Sequence, residues 1–499
     1  MHQRFALFNA ILLLLALLCQ GCDIRGANDP FSCAPSSPYS VWAPPERALR
    51  RLSSDALAIA FDEETFISDD APLSLAEAIT ITLYRNPETK QSWAKTRIAA
   101  AEYGQSLQDD FLLADINADY SRTRSAEFLS RQREIIYETQ YGAGLELSYL
   151  LFDFGQTRMT SEAALQALYN ADWLHNSEVQ QKIQILMTTY YDYLYQKKLL
   201  IATQQDVINA QVALSATEEK FRRGLADVSD TVQAKTNYLQ QQLTVVSQKQ
   251  TVASSYASLM NEIGLPANQL LAFQDYPEKV KTFSIEALDD LIVQASDNRP
   301  DLFAAEAAVK SSLAKLTAAK LDRYPKVTGT FDIGRRYYQQ GLNDAYDFAA
   351  TVGLKLPLFQ GFYISNTIKE AQAQLEEAHA KLDQVKLAII QEVATYRSAA
   401  VNALEALTYA NKYLEAAEEE YRVNLQRYRF GTGTVVDLIN ALTSVSNARA
   451  QYANTENIWY NSIANLAYAT GVLLPPKEKT RFLSPMINQR KCDVSNESL

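Results

Sequence analysis

Phe221-Arg222-Arg223-Gly224 lies 207 residues before Tyr428-Arg429-Phe430-Gly431, and the same spacing pairs Asp230 with Asp437, Val232 with Ile439, Ala234 with Ala441 and Gly264 with Gly471. It also pairs Leu147 with Leu354 and Leu151-Phe152 with Leu358-Phe359. Upstream the spacing becomes 213, pairing Pro87 with Pro300 and Asp119 with Asp332, so one loop between Asp119 and Leu147 differs from its counterpart by six residues, 213 minus 207. Self-similarity at a fixed offset reports a duplicated architecture before any element is assigned. Whatever one half folds into, the other must fold into again.

Each half presents the same order of patterns. A helix comes first, about Leu73 to Phe111 and about Ser284 to Asp322, interrupted at Asn86-Pro87 and Arg299-Pro300 because proline disfavours helical backbone in the residue before it. The period then changes to two. Asp115 to Ser121, Tyr141 to Tyr149, Val327 to Ile333 and Phe348 to Leu356 alternate between apolar and polar residues, which predicts four strands in two hairpins. Long helices follow, from about Gln156 to Arg223 and from about Tyr363 to Phe430. In the second, Leu375, Ala378, Leu382, Val385, Ile389, Val393 and Tyr396 recur in steps of three and four, as in a coiled-coil seam. At 1.5 Å of rise per residue each is roughly 100 Å long, more than a globular core can hold. A turn at Gly224 or Gly431 reverses the chain into a return helix ending near Gly264 or Gly471. Only 16 Gly and 15 Pro punctuate 499 residues, in keeping with such long segments.

The net charge of -11 gives no basic footprint for nucleic acid. Met1-His2-Gln3-Arg4 followed by an apolar run from Phe5 to Leu18 is too short to span a bilayer and is expected to be a secretory signal. It ends on Cys19-Gln20-Gly21-Cys22, which resembles the processing box of bacterial lipoproteins and makes Cys22 the expected lipidated residue. Cys19 departs from the usual leucine of that box, and Asp23 is the residue that enteric lipoproteins associate with inner-membrane retention. Cys33 and Cys492 remain near opposite ends of the mature chain, either bridged or as two thiols, since sequence cannot give connectivity.

The four strands suit a sheet with one apolar and one polar face. Tyr120, Tyr141, Tyr149, Phe152, Phe154, Tyr324, Tyr337, Tyr338, Tyr346, Phe348 and Phe359 cluster at strand ends, as in the aromatic girdles of membrane barrels. Four strands cannot close, and lipid tolerates no open edge, so a barrel must be shared between chains. Two copies give eight strands and three give twelve, and physics alone does not choose.

The duplicated order, together with Leu356-Pro357-Leu358-Phe359-Gln360-Gly361 and Tyr428-Arg429-Phe430-Gly431-Thr432-Gly433-Thr434-Val435-Val436-Asp437-Leu438, resembles the TolC-like family of outer membrane efflux proteins across about Leu73 to Leu474. The resemblance implies a mainly α fold with a membrane β-barrel. Three chains would form a trimeric 12-stranded outer-membrane β-barrel continued by a periplasmic α-helical barrel. It also implies a passive channel of a tripartite efflux or type I secretion system. The partners would be two further copies in a homotrimer, a periplasmic adaptor, an inner-membrane pump of the RND or ABC type, and outer-membrane lipid, with no nucleic acid and no cofactor. The alternative is a structural coiled-coil envelope protein without a pore. The chain then divides into a signal peptide (1–22), an N-terminal periplasmic segment (23–72), a first repeat (73–265), a connector (266–283), a second repeat (284–472) and a tail (473–499). The first repeat holds a hairpin at 113–152, a long helix at 156–223 and a return helix at 227–263; the second holds them at 325–359, 363–430 and 434–470.

No catalytic or metal constellation stands out. His175 and His379 lie on long helices without ligand partners at suitable spacing and are expected at exposed positions. The acidic runs at 62–64 and 418–420 are expected to be solvated faces. Asp230 and Asp437 each follow a tip glycine by six residues. The resemblance places them among gate contacts or acidic rings at the tunnel mouth, whereas favourable carboxylate placement at a helix N-terminus accounts for both without a pore. Ser229 and Tyr428 match gate positions of the family. Gly433 stands where the family carries a gate arginine, for which Arg429 could substitute, and Asn440 stands where it carries a second acidic ring. Gly224, Leu225, Gly431 and Gly433 form the tip turns, the expected adaptor contact.

Overall fold

The computed structural model describes residues 31, 34–35, 37–42, 72–129, 132–276, 285–338 and 345–473. Cys22, Cys33, Cys492 and the acidic run at 62–64 lie outside the described residues. The first repeat runs α1 (Leu75–Arg85), α2 (Pro87–Ser106), β1 (Leu113–Leu129), β2 (Gln132–Phe152), α3 (Gln156–Arg222) and α4 (Val228–Ile263). The second runs α5 (Leu288–Asn298), α6 (Pro300–Leu321), β3 (Lys326–Tyr338), β4 (Ala345–Lys355), α7 (Tyr363–Arg429) and α8 (Val435–Ala469). Both long helices span 67 residues. No described helix is long and apolar enough to cross a membrane.

The strands form one antiparallel sheet in the order β1-β2-β3-β4, so β1 and β4 are its edges. Residues directly opposite one another share a face. Register places Ile116, Leu145, Ile333 and Phe348 on one face, with Tyr120, Tyr141 and Tyr337 in a row nearer the hairpin turns. That apolar face is uncovered: Ile116 is 83% exposed, Phe348 77% and Val352 73%. A contiguous apolar surface of this kind needs lipid or another protein against it. The opposite face carries Asp115, Asp119, Glu146, Asp332 and Asp347.

Strand passes to helix at the same corner in both halves. Phe154 and Gly155 take φ of +60 and +86, and Gly361 and Phe362 take +58 and +66. Each corner is therefore a pair of left-handed residues, one glycine and one phenylalanine, in opposite order. The side chain of Asp153 then accepts from the Gly155 and Thr157 amides, supplying partners that a helix start lacks.

Helix packing buries the coiled-coil seams. Val179, Ile183, Leu186, Tyr190 and Leu194 of α3 pack on Ile79, Ile81 and Leu83 of α1 and on Leu259, Met260 and Ile263 of α4. In the second repeat Ile389 and Val393 of α7 pack on Leu291, Ala295, Leu302 and Leu466. The proline breaks serve as docking points. Asn86 and Arg299 have the extended backbone that a following proline imposes. Gly264 and Gly471, both with positive φ, close on them. Buried Arg299 also pairs with Asp301 and with Glu392 of α7, at 2.5 and 2.6 Å.

A polar layer interrupts the seam between α2 and α3. His175, expected at the surface, is 1% exposed, and its Nδ1 lies 2.8 Å from the Ser92 hydroxyl. The reason is a covering segment remote in sequence. The Trp42 amide donates to the Asn176 side chain, which donates back to the Trp42 carbonyl, and this holds residues 37–42 over the helix. One helical turn away Asp172 is fully buried, and burial pushes its carboxyl up to about 9. Burial pushes the His175 imidazole down to about 4.

Two outcomes follow from these contacts. A methyl group at Gly471 would lie 2.8–2.9 Å from the backbone of Asn298 and Arg299, whereas one at Gly361 meets nothing within 4 Å. Gly471→Ala is expected to cost about 2–4 kcal/mol, combining the left-handed and overpacking penalties, and Gly361→Ala about 1–2 kcal/mol. Denaturant unfolding of the detergent-solubilised chain measures both, and equal losses would show that the close approach carries no energy. Between the ordinary carboxyl pKa and about 9, the unfolded chain releases the Asp172 proton while the folded chain keeps it, so stability falls as pH rises through that window. His175 acts oppositely, its contribution being lost as pH falls from about 6.5 to about 4. Asp172→Asn is therefore expected to raise the melting temperature at pH 8 and to change it little at pH 4, which a thermal melt at the two pH values checks.

Candidate functional site

At the end remote from the sheet, each long helix turns into its return helix. Arg223 caps α3 and Gly224 follows at φ +70; Phe430 caps α7 and Gly431 follows at φ +80. Left-handed glycine is the usual device for ending a helix. Leu225 is 72% exposed at the first tip. A side chain at Gly433 would have its Cβ 3.2 Å from the Arg427 Cβ and the Tyr428 amide nitrogen, so the turn itself favours glycine at the position that the resemblance assigns to a gate arginine.

The two tip aspartates sit at equivalent positions and make different contacts. Asp437 belongs to a reciprocal capping box: its amide donates to the Thr434 hydroxyl and its carboxylate accepts from the Thr434 amide, both at 3.1 Å. Hydrogen bonding to the carboxylate from the Thr434 hydroxyl and then from its amide, aided by the charge of Arg427, holds that carboxyl below the usual range. Asp227, the N-cap of the first repeat, makes no such bond, and Asp230 is half-buried. Asp230 lies near enough to Tyr428 for its charge to add to the rise that burial gives the phenol. Ser229, Arg429 and Asn440 are exposed around the same tips.

Tyr428 is 2% exposed and forms part of a tip core with Ala213, Leu214, Ala234, Val435, Leu438 and Leu442. Its hydroxyl donates to the Thr217 hydroxyl at 3.1 Å, Thr217 donates on to the Ala213 carbonyl at 2.8 Å, and the Lys220 ammonium lies 4.0 Å from the ring centroid. These contacts join α7 of the second repeat to α3 of the first. A second tie lies further from the tip. Asp206 of α3 accepts from Ser446 at 2.6 Å and from Arg449 at 3.1 Å, and Arg449 also pairs with Glu418 at 3.1 Å. Sequence reasoning missed Thr217, Lys220, Asp206, Ser446 and Arg449, whose partners are more than 200 residues away; only the acidic run containing Glu418 had drawn notice. His379 is exposed, and among the described residues no group of His, Cys, Asp or Glu could hold a metal ion.

The strands add a second set of groups that the sequence reading passed over. Asp115, Asp119, Glu146, Asp332 and Asp347 share the face away from the apolar surface, with Lys326, Arg336 and Lys355 as basic members. A polar face weighted toward carboxylates favours cations over anions in any duct that it lines.

Residues 78–265 and 291–472 match the family described as Outer membrane efflux protein. Among curated relatives, Protein CyaE of Bordetella pertussis is 24% identical over 390 residues, which is 76% of this chain and 80% of that protein. Outer membrane protein TolC of Salmonella enteritidis is 23% identical over 412 residues, 78% of this chain and 80% of that one. Among solved structures, the outer-membrane channel OprN superposes with a TM-score of 0.74 at 20% identity, over 81% of this chain and 91% of that channel. With the match taking in both repeats and the sheet between their helices, the chain belongs to the outer membrane efflux protein family and is an outer-membrane channel protein for efflux or secretion.

Proposed function

We propose that three copies of this chain close a twelve-stranded barrel, in which β1 of one copy pairs with β4 of the next, and that their helices continue it as a tunnel through the periplasm. The supporting observation is the four-stranded sheet with two open edges and one uncovered apolar face. In lipid the edges must find hydrogen-bond partners, and twelve strands leave a lumen where eight are largely filled by side chains. The repeats at 73–265 and 284–472 then give six quasi-equivalent units around the axis. Cargo passes without chemistry in this chain. A periplasmic adaptor docks at the tip turns around Gly224, Leu225, Gly431 and Gly433, and an inner-membrane pump of the RND or ABC type supplies the energy. Cys22 is the proposed lipid anchor.

The periplasmic mouth is the proposed gate. Threefold symmetry would bring copies of Asp437, with Asp230, toward the narrowest section, where clustered negative charge draws cations. Ser229, Arg429 and Asn440 would surround them. The ties from Tyr428 to Thr217 and from Asp206 to Arg449 join the two repeats, so widening the mouth would have to strain or exchange them.

Mass measurement in detergent is expected to return three times the mature chain, and planar bilayers to show ion conductance. A stable monomer, or a trimer that never conducts, would favour a structural coiled-coil protein. At low salt, trivalent cations added from the periplasmic side are expected to block the current. Asp437→Ala should weaken that block and lower cation selectivity, and Asp230→Ala should do so to a lesser degree. The difference should fade in molar salt, where screening shortens to ~3 Å. An Asp437→Ala channel that keeps wild-type block and selectivity at low salt would leave the capping box as the whole role of that carboxylate.

A further inference from the structure

Apart from Arg335, the uncovered face of the sheet is apolar up to the row formed by Tyr120, Tyr141 and Tyr337, and on the hairpin-turn side of that row β1 turns basic. Arg122 and Arg124 follow Tyr120 on the same face of β1, opposite Thr139 and Tyr137. Both are exposed, and their guanidinium carbons lie 5.8 and 5.9 Å from the centroid of one ring, that of Tyr137. On β3 the Arg335 guanidinium stands 5.3 Å from the Tyr337 ring and 5.1 Å from that of Tyr346, again on this face. The sheet carboxylates at Asp115, Asp119, Glu146, Asp332 and Asp347 all belong to the other face.

Arginine on a lipid-facing strand is costly at mid-membrane and nearly neutral at the interface, which puts these side chains at headgroup depth. Alternate residues of a strand stand about 6.6–6.8 Å apart, so the two planar forks, both near one ring, can reach the same group. A guanidinium pairs with phosphate oxygens through two parallel N–H bonds, and the nearby ring offsets part of the mutual repulsion of the pair.

We propose that Arg122 and Arg124, with Tyr137 beside both, bind the phosphate of a lipid headgroup in the outward-facing leaflet, and that Arg335 with its two tyrosines extends the basic rim around the barrel. The proposal rests on the reading above that the sheet stands in the outer membrane and its helices in the periplasm, which turns the hairpin ends outward. The lipid is recognised by its phosphate and held by the apolar face beneath, so free phosphate lacks half of the attachment.

The test is native mass spectrometry of the full-length protein in detergent, titrated with bis-phosphorylated lipid A. Wild type is expected to retain the lipid. Replacing both arginines by glutamine (Arg122→Gln with Arg124→Gln) is expected to weaken retention about tenfold or more, since charge-assisted bonds are lost. The lysine pair (Arg122→Lys with Arg124→Lys) keeps charge without the fork and should fall between. Arg336→Gln, on the opposite face of β3, should retain lipid as wild type does. Heat-modifiable gel mobility shows that each variant has assembled. Equal retention by the glutamine pair, or displacement of the lipid by millimolar inorganic phosphate, overturns the site while leaving the channel reading intact. A wild-type protein that neither assembles nor conducts removes the channel reading and this site together.

Discussion

Inside a bilayer no water is available to satisfy an unpaired amide or carbonyl, and each one left open costs several kcal/mol. The described residues bring four strands to that environment, and among them the outward edges of β1 and β4 have no partner strand. In the proposed trimer, the dependence of the whole architecture on neighbouring copies begins there. Sheets completed by identical sheets impose rotational symmetry, and every helix leaving the sheet would inherit it. The family's use of the fold as a channel is consistent with this, since a ring of chains encloses an axis that no single chain possesses.

The helical part meets a different difficulty, which is keeping rods of roughly 100 Å in register over their whole length. The seams supply attraction but little positional information, because one apolar layer resembles the next. Specific polar contacts fix the layers. Arg299 with Asp301 and Glu392 marks one level, Arg449 with Asp206 and Glu418 a second, and Tyr428 with Thr217 a third. Buried ion pairs repay much of their desolvation only when geometry is good, so their net contribution is better read as registry than as bulk stability. The connector adds a fourth level, where Tyr276 stacks at 5.9 Å on Tyr191 of α3 and at 5.0 Å on Tyr460 of α8.

What the sequence made legible was everything carried by local chemistry. Pro87 and Pro300 announced the breaks, the alternation in β1 to β4 announced two-faced strands, and the offset between Gly224 and Gly431 announced the tips. Contacts between distant segments were not legible. His175 looked like a surface histidine because the residues that cover it, 37–42, lie more than 130 positions away. Tyr428 was singled out as a match to a gate position, yet nothing local shows that its hydroxyl turns inward to Thr217. Asp437 was the intermediate case: Thr434 three residues earlier is the pattern of a capping box, and a charge at a tip admits both that role and an electrostatic one.

The two corners that lead from sheet to helix carry one more implication. Both use two successive left-handed residues, and in both only one of the two is glycine, so each phenylalanine bears a backbone penalty of about 1–2 kcal/mol. One copy carries the glycine second and the other carries it first. Had the glycine been indispensable at a particular place, the duplicated halves would agree on where it stands. They agree instead on the bend and on having a large ring at it, packed in one half against Phe152 and Tyr324 and in the other against Phe359. The two repeats thus share the pair of torsions at this joint while exchanging the residues that adopt them.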